Sequence, residues 1–100
     1  MNEVPELSPN QKYFPLQEYF RSCSTEVDKT VALTVDQIEK IIGNVLPRWA
    51  FDYSAGFWSN GNYNDHVQKR AWLSQDYIVI DYNVNSSQHS GRIVFEKSRR

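Results

Sequence analysis

The stretch from Trp49 to Tyr63 places six aromatic side chains in fifteen residues: Trp49, Phe51, Tyr53, Phe57, Trp58 and Tyr63. A run of that density has to sit in or beside a core. Each packed ring buries about 150–250 Å², and a chain of 100 residues has room for one modest core. Aromatics are 14% of the chain, within an apolar share of 40%, so a few large rings must supply much of the buried area. Disorder goes with few aromatics and high net charge, the opposite of this composition. Gly56 and Gly61 interrupt the run. It reads as a helical turn followed by an aromatic-rich loop.

The loop leads into a helix capped by Asn64 or Asp65 and running to about Ser74. On a helical wheel Tyr63, Val67 and Ala71 lie together, and Trp72 lies further round. Gln68 falls between Ala71 and Trp72, on the core side. A buried amide without partners costs about 1–3 kcal/mol. Gln68 and Asn60 are therefore expected to be structural polar links that pin the loop to the helix. His66, Lys69 and Arg70 gather on the opposite side, which should face water.

Residues 1–12 are polar, hold two Pro and lack periodicity, so they read as a flexible arm. Pro15 suits the first turn of a short helix whose apolar stripe is Leu16, Tyr19, Phe20 and Cys23. Residues 24–30 form a polar connection, and Val31-Ala32-Leu33 reads as a strand. Thr34-Val35-Asp36-Gln37 is a capping box, with Leu33 placed to staple onto Ile38. The helix it opens carries Ile38, Ile41 and Ile42 and stops at Gly43. Leu46-Pro47 introduces another short helix. Residues 77–84 are β-branched and aromatic, 85–91 are turn formers, and 92–96 form the returning strand of a hairpin. The expected domain is residues 13–97, followed by a basic tail at 98–100. The expected fold is α+β and winged-helix-like: three or four short helices on a small antiparallel sheet with a C-terminal β-hairpin.

The series Tyr13, Pro15-Leu16, Tyr19; Leu33-Thr34, Ile38-Glu39, Ile41-Ile42-Gly43; Leu46-Pro47, Ala50; Trp58, Asn60; His66, Gln68, Ala71-Trp72-Leu73; Tyr77, Val79; Val94, Phe95 resembles a small bacterial and phage family, a domain of unknown function. Its motifs read YxPLxxYL, LTFxEIExIIGxxLP, WWxN and HxQAxAWL. The resemblance covers residues 13–97. Such domains stand alone or are fused to other proteins, some nuclease- or restriction-like, which implies nucleic-acid or defence biology by association only. Three departures stand out. Phe57 replaces the first Trp of the pair, Lys69 replaces an Ala, and Gln75-Asp76 replaces a small-Gly turn before Tyr77.

Composition narrows the function classes. The net charge of −1 exerts no strong field on nucleic acid or acidic membrane. The balance is uneven, with −3 over residues 1–47 and +2 over residues 48–100. A single Cys23 excludes an internal disulfide and a multi-Cys zinc site, and fits a reducing cytoplasm. The acidic first twenty residues lack an apolar h-region, so no signal peptide is expected, and no apolar run is long enough to span a membrane as a helix. His66 with Asp65 and Asn60 is the one cluster that suggests catalysis, but adjacent helical residues do not face each other and no nucleophile motif accompanies them. His66 and His89 make no metal-ligand spacing, so neither metal nor cofactor is expected.

The expectation is a non-catalytic accessory or regulatory module that binds double-stranded DNA or another nucleic acid. His66, Lys69 and Arg70 would enter the major groove. Arg92, Lys97, Arg99, Arg100 and the Gln88/His89 tip would act from the wing, and Arg48 would add a phosphate contact. The alternative is a protein-interaction domain, an inhibitor or a homodimer, that uses Trp49, Phe57 and Trp58 from the 49–63 loop as anchors.

Overall fold

The computed structural model describes residues 4–23, 29–61 and 63–98. The 24–28 connection and the Arg99-Arg100 end of the tail lie outside the described residues.

Helix α1 spans Phe14–Arg21 with Pro15 in its first turn. Leu16 and Phe20 are buried as the stripe requires, but Tyr19 and Cys23 are only half-buried. Gln17 takes the remaining core position, with none of its surface exposed. Its Oε1 accepts from the Leu7 N–H at 2.7 Å and the Ser74 hydroxyl at 3.2 Å. The expected free arm is thus partly docked. Leu7 is buried and Glu6 bonds Arg21. Burying a leucine is worth about 1.5–3 kcal/mol, and Gln17 satisfies the backbone donor that enters with it.

Strand β1 (Thr30–Thr34) runs directly into helix α2 (Val35–Ile42). Both halves of the capping box form: the Gln37 N–H reaches Thr34 Oγ1 at 3.1 Å, and the Thr34 N–H reaches Gln37 Oε1 at 2.9 Å. Gly43 closes the helix at φ 68°, the left-handed region that favours glycine.

The aromatic run was expected to be one turn and a loop. It forms two short helices instead, α3 (Trp49–Asp52) and α4 (Ser54–Trp58), which meet at Tyr53. Ala50, Phe57 and Trp58 fall two turns apart on one buried face. The Trp58 indole donates to the Ala50 carbonyl at 2.9 Å, tying the pair together. The expected 64–74 helix is also different. A 3-10 turn at Val67–Lys69 precedes helix α5 (Arg70–Leu73). Side chains in a 3-10 turn advance faster than in an α-helix, so the α-helical wheel misplaces the residues on it. Asp76 follows at φ 65°, a left-handed position that Asp tolerates and that a glycine would fill freely.

Strands β2 (Tyr77–Asn85) and β3 (Ser90–Lys97) complete a three-stranded antiparallel sheet in the order β1-β3-β2. Leu33 pairs with Ile93, and Val79 with Phe95. All four are buried. An irregularity between Val79 and Asp81 leaves Ile80 47% exposed. Phe20 packs on Tyr77 and Phe95, Trp72 packs on Phe95, and Trp58 stacks on Trp72 at 5.8 Å. The helices thus cover one face of the sheet, and the hairpin projects from its end. This is the α+β class expected from sequence, with five short α-helices among the described residues.

Thr34→Ala removes one side of the capping box. It is expected to lower stability by about 1 kcal/mol, seen in urea unfolding as a lower midpoint at unchanged slope.

Candidate nucleic-acid interface

The loop 59–61 is held from several sides. Asn60 Nδ2 donates to the Val79 carbonyl at 2.9 Å, and Asn60 Oδ1 accepts from the Val79 N–H at 2.8 Å and the Trp72 indole at 3.3 Å. Gln68 Nε2 donates to the Phe57 carbonyl at 3.3 Å. Asn60 and Gln68 are therefore the polar links expected of them.

Lys69 overturns the expected basic face. Its side chain is buried, with 1% of its surface exposed. Nζ donates to Ser59 Oγ at 2.7 Å and to the Gly61 carbonyl at 2.6 Å. Burial holds its pKa below the ordinary lysine value. The 3-10 turn swings the side chain inward, and its donors satisfy the loop.

The neighbouring residues are also partly withdrawn. Arg70 is half-buried, and its Nε donates to the Tyr63 carbonyl at 3.3 Å. His66 is half-buried with its ring 5.0 Å from Trp49. Among the described residues no hydrogen bond joins it to Asp65. On β3, Lys97 donates to the Gln75 carbonyl at 3.0 Å and lies over the Tyr77 ring. His66, Lys69, Arg70 and Lys97 therefore form no exposed basic surface.

Besides the exposed Gln88/His89 tip, two of the expected arginine and lysine contacts face outward. The Arg48 side chain is 90% exposed and pairs with Asp52 at 2.7 Å. Arg92 is exposed on β3. Arg48 lines a cleft of about 580 Å³ with Leu46, Phe51, Ser86, Ser87 and His89. This cleft lies between the hairpin tip and the turn before α3. Glu39 braces two of its lining residues: Oε2 accepts from the Leu46 N–H at 2.8 Å and meets His89 Nε2 at 2.5 Å. The His89 ring packs 4.5 Å from Phe51, with a backbone φ of 50°.

Of the anchors proposed for a protein partner, Phe57 and Trp58 are each 1% exposed and belong to the core. They are spent on packing, because the run is helical with an inward face. Trp49 is half-buried and lies 6.5 Å from Tyr53, which is 60% exposed.

Sequence reasoning missed Glu39, Ser86 and Ser87. Glu39 carried a signal, since it sits in the Ile38-Glu39…Leu46-Pro47 series, but its partner at position 89 is fifty residues away. A serine-rich tip reads simply as turn chemistry. Among the described residues no cluster of three or more His, Cys, Asp or Glu could hold a metal ion. No described helix is long and apolar enough to cross a membrane.

A family model, a domain of unknown function (DUF7662), matches residues 13–93. The chain belongs to this family. No curated protein and no solved structure matches it. The match covers the whole α1-to-β3 frame apart from the last residues of β3, and both Glu39 and Asn60 lie inside it.

The Lys69 shift has a sign that can be checked. A lysine whose folded pKa is depressed leaves the folded state with fewer protons than the unfolded one over the window between the two values. Stability then rises with pH through that window, up to the ordinary value of about 10.4. The difference in unfolding free energy between wild type and Lys69→Met is expected to move in favour of wild type as pH rises towards 10.4. A flat difference across urea titrations at several pH values would show that Lys69 is not desolvated.

Proposed function

We propose that this DUF7662 domain is a non-catalytic nucleic-acid-binding module of accessory or regulatory type, acting in a winged-helix-like manner. The observation that supports the reading best is the cleft itself. The hairpin stands as a wing beside the turn that follows α2, and Arg48, Ser86 and Ser87 line the space between them. Arg92 is exposed further along the same hairpin. The short α5 is not the reading element, because its basic neighbours are turned inward. Phosphate contacts from the wing and the α2–α3 turn carry this mode of binding. The Arg48–Asp52 pair does not stand in the way. An exposed i,i+4 pair is worth about 0.3–0.5 kcal/mol, less than the roughly 1.5–3 kcal/mol of a hydrogen bond to a charged group.

A second reading keeps the protein-interaction alternative, now centred on Trp49, Tyr53 and Val67 in place of Phe57 and Trp58. Tyr53 and Val67 are 60% and 38% exposed, and the Trp49 ring lies between Tyr53 and His66. Trp49 and Tyr53 form a small aromatic surface of the kind that anchors partners, and Val67 adds an exposed apolar side chain next to His66 in sequence.

One experiment separates the two. Retention on duplex DNA at low salt, weakened about tenfold or more by Arg48→Glu with Arg92→Glu, is the expected outcome of the first reading. Lys69→Glu is expected to unfold the domain instead of selectively impairing binding, because it places a carboxylate against the Gly61 carbonyl. No retention on DNA, together with a dimer in solution that Tyr53→Ser disrupts, would overturn the first reading in favour of the second.

A further inference from the structure

We propose that the cleft between the hairpin tip and the α2–α3 turn seats one backbone phosphodiester, and that Glu39 is the positioning residue that shapes it. This rests on the nucleic-acid reading and names the group that the site takes.

The geometry begins with one oxygen. Glu39 Oε2 accepts from the Leu46 N–H and meets His89 Nε2 at 2.5 Å, so it joins the turn before α3 to the hairpin tip. The Glu39 side chain is 18% exposed and that of His89 is 43% exposed. The contact is therefore shielded on the carboxylate side. His89 adopts a left-handed φ of 50°, uncommon for a residue other than glycine, and its ring rests on Phe51. Held in this way, the tip places Ser86 and Ser87 across from Arg48.

The donors suit a tetrahedral oxyanion. A guanidinium fork lies on one wall and Ser86 on the other, while the Ser87 hydroxyl donates to Asn85 Oδ1 at 2.8 Å and stiffens the tip. Leu46 and Phe51 give the cleft an apolar floor of the kind a sugar can lie against. The charges select among phosphates. Asp52 pairs with Arg48 and Glu39 with His89, two residues that line the cleft, so a dianionic phosphomonoester meets two nearby carboxylates and a single arginine. A diester carries one negative charge and is repelled less. Its neighbouring nucleotides can also reach Arg92 along the hairpin. The cleft therefore fits a link within a chain better than a free phosphate or a terminal one.

The test measures affinity for a short fluorescent duplex across a salt series starting near 50 mM, where phosphate contacts are strong. Arg48→Gln is expected to weaken binding about threefold to tenfold and to reduce the slope of log K against log salt by about 0.9, the value for one phosphate. Ser86→Ala is expected to weaken binding about threefold at unchanged slope, since no charge is lost. Arg21→Gln, at the far end of α1, should change neither.

Glu39→Gln is the decisive variant. Removing a carboxylate near a phosphate raises affinity on charge alone. A fall of about threefold, with shifted backbone resonances at Leu46 and His89, therefore marks positioning. Higher or unchanged affinity in Glu39→Gln overturns the positioning role. Wild-type binding with an unchanged salt slope in Arg48→Gln overturns the phosphate site and leaves the nucleic-acid reading standing. Failure of the wild type to bind duplex at the lowest salt overturns both.

Discussion

The side-chain amide of Asn60 does for strand β2 what a neighbouring strand would do. It donates to the Val79 carbonyl and accepts from the Val79 N–H, so it pairs with the backbone edge that β3 leaves open. Its oxygen also takes the Trp72 indole. One side chain thus fixes the loop, α5 and the sheet relative to one another. An open strand edge invites pairing with another chain, and this one is blocked at Val79. The indole N–H is satisfied in the same stroke, which lets Trp72 lie wholly inside the core against Trp58 and Phe95. The aromatic core depends on that polar contact.

Lys69 follows from the same constraint. A loop drawn tightly onto the sheet leaves the Gly61 carbonyl and Ser59 hydroxyl turned towards Lys69, whose buried ammonium needs acceptors. The ammonium meets both, at 2.6 and 2.7 Å. Desolvating a charge is costly, and these two bonds offset part of that cost. The chain therefore uses a lysine for architecture at a position where the resembling motif has alanine. The same holds for Lys97, bound to the Gln75 carbonyl, and in part for Arg70, bound to Tyr63.

Sequence made some of these features legible and hid others for identifiable reasons. The capping box at Thr34, the αL stop at Gly43 and the hairpin are local, so propensity and turn chemistry are enough to find them. Asn60 and Gln68 were legible because a polar residue on an apolar face must be satisfied. Lys69 was hidden because its orientation depends on a 3-10 turn, and a wheel drawn for a continuous α-helix puts it on the water side. Phe57 and Trp58 looked free because Gly56 suggested a loop, whereas Trp58 bonding to Ala50 favours a helix there. Gln17 took a core position because its partners, Leu7 and Ser74, come from segments distant in the chain. The link between Glu39 and His89 is purely tertiary, and no local pattern encodes it.

The two polar nodes give the domain two unlike ends. Asn60 acts at Val79, near the start of β2, and Glu39 acts at His89, beyond its end. Strand rise separates Val79 from the tip by roughly 20 Å. At the Asn60 end polar groups are consumed: a strand edge is capped, a lysine is buried and an indole is paired. At the Glu39 end a carboxylate ties two segments together, and Arg48 and Ser86 stay at the surface. A small domain has few polar side chains to divide between holding its fold and meeting a ligand. Closing one end with inward-facing cations leaves the opposite end as the place where exposed donors converge, and that asymmetry directs any search for a ligand to the hairpin tip.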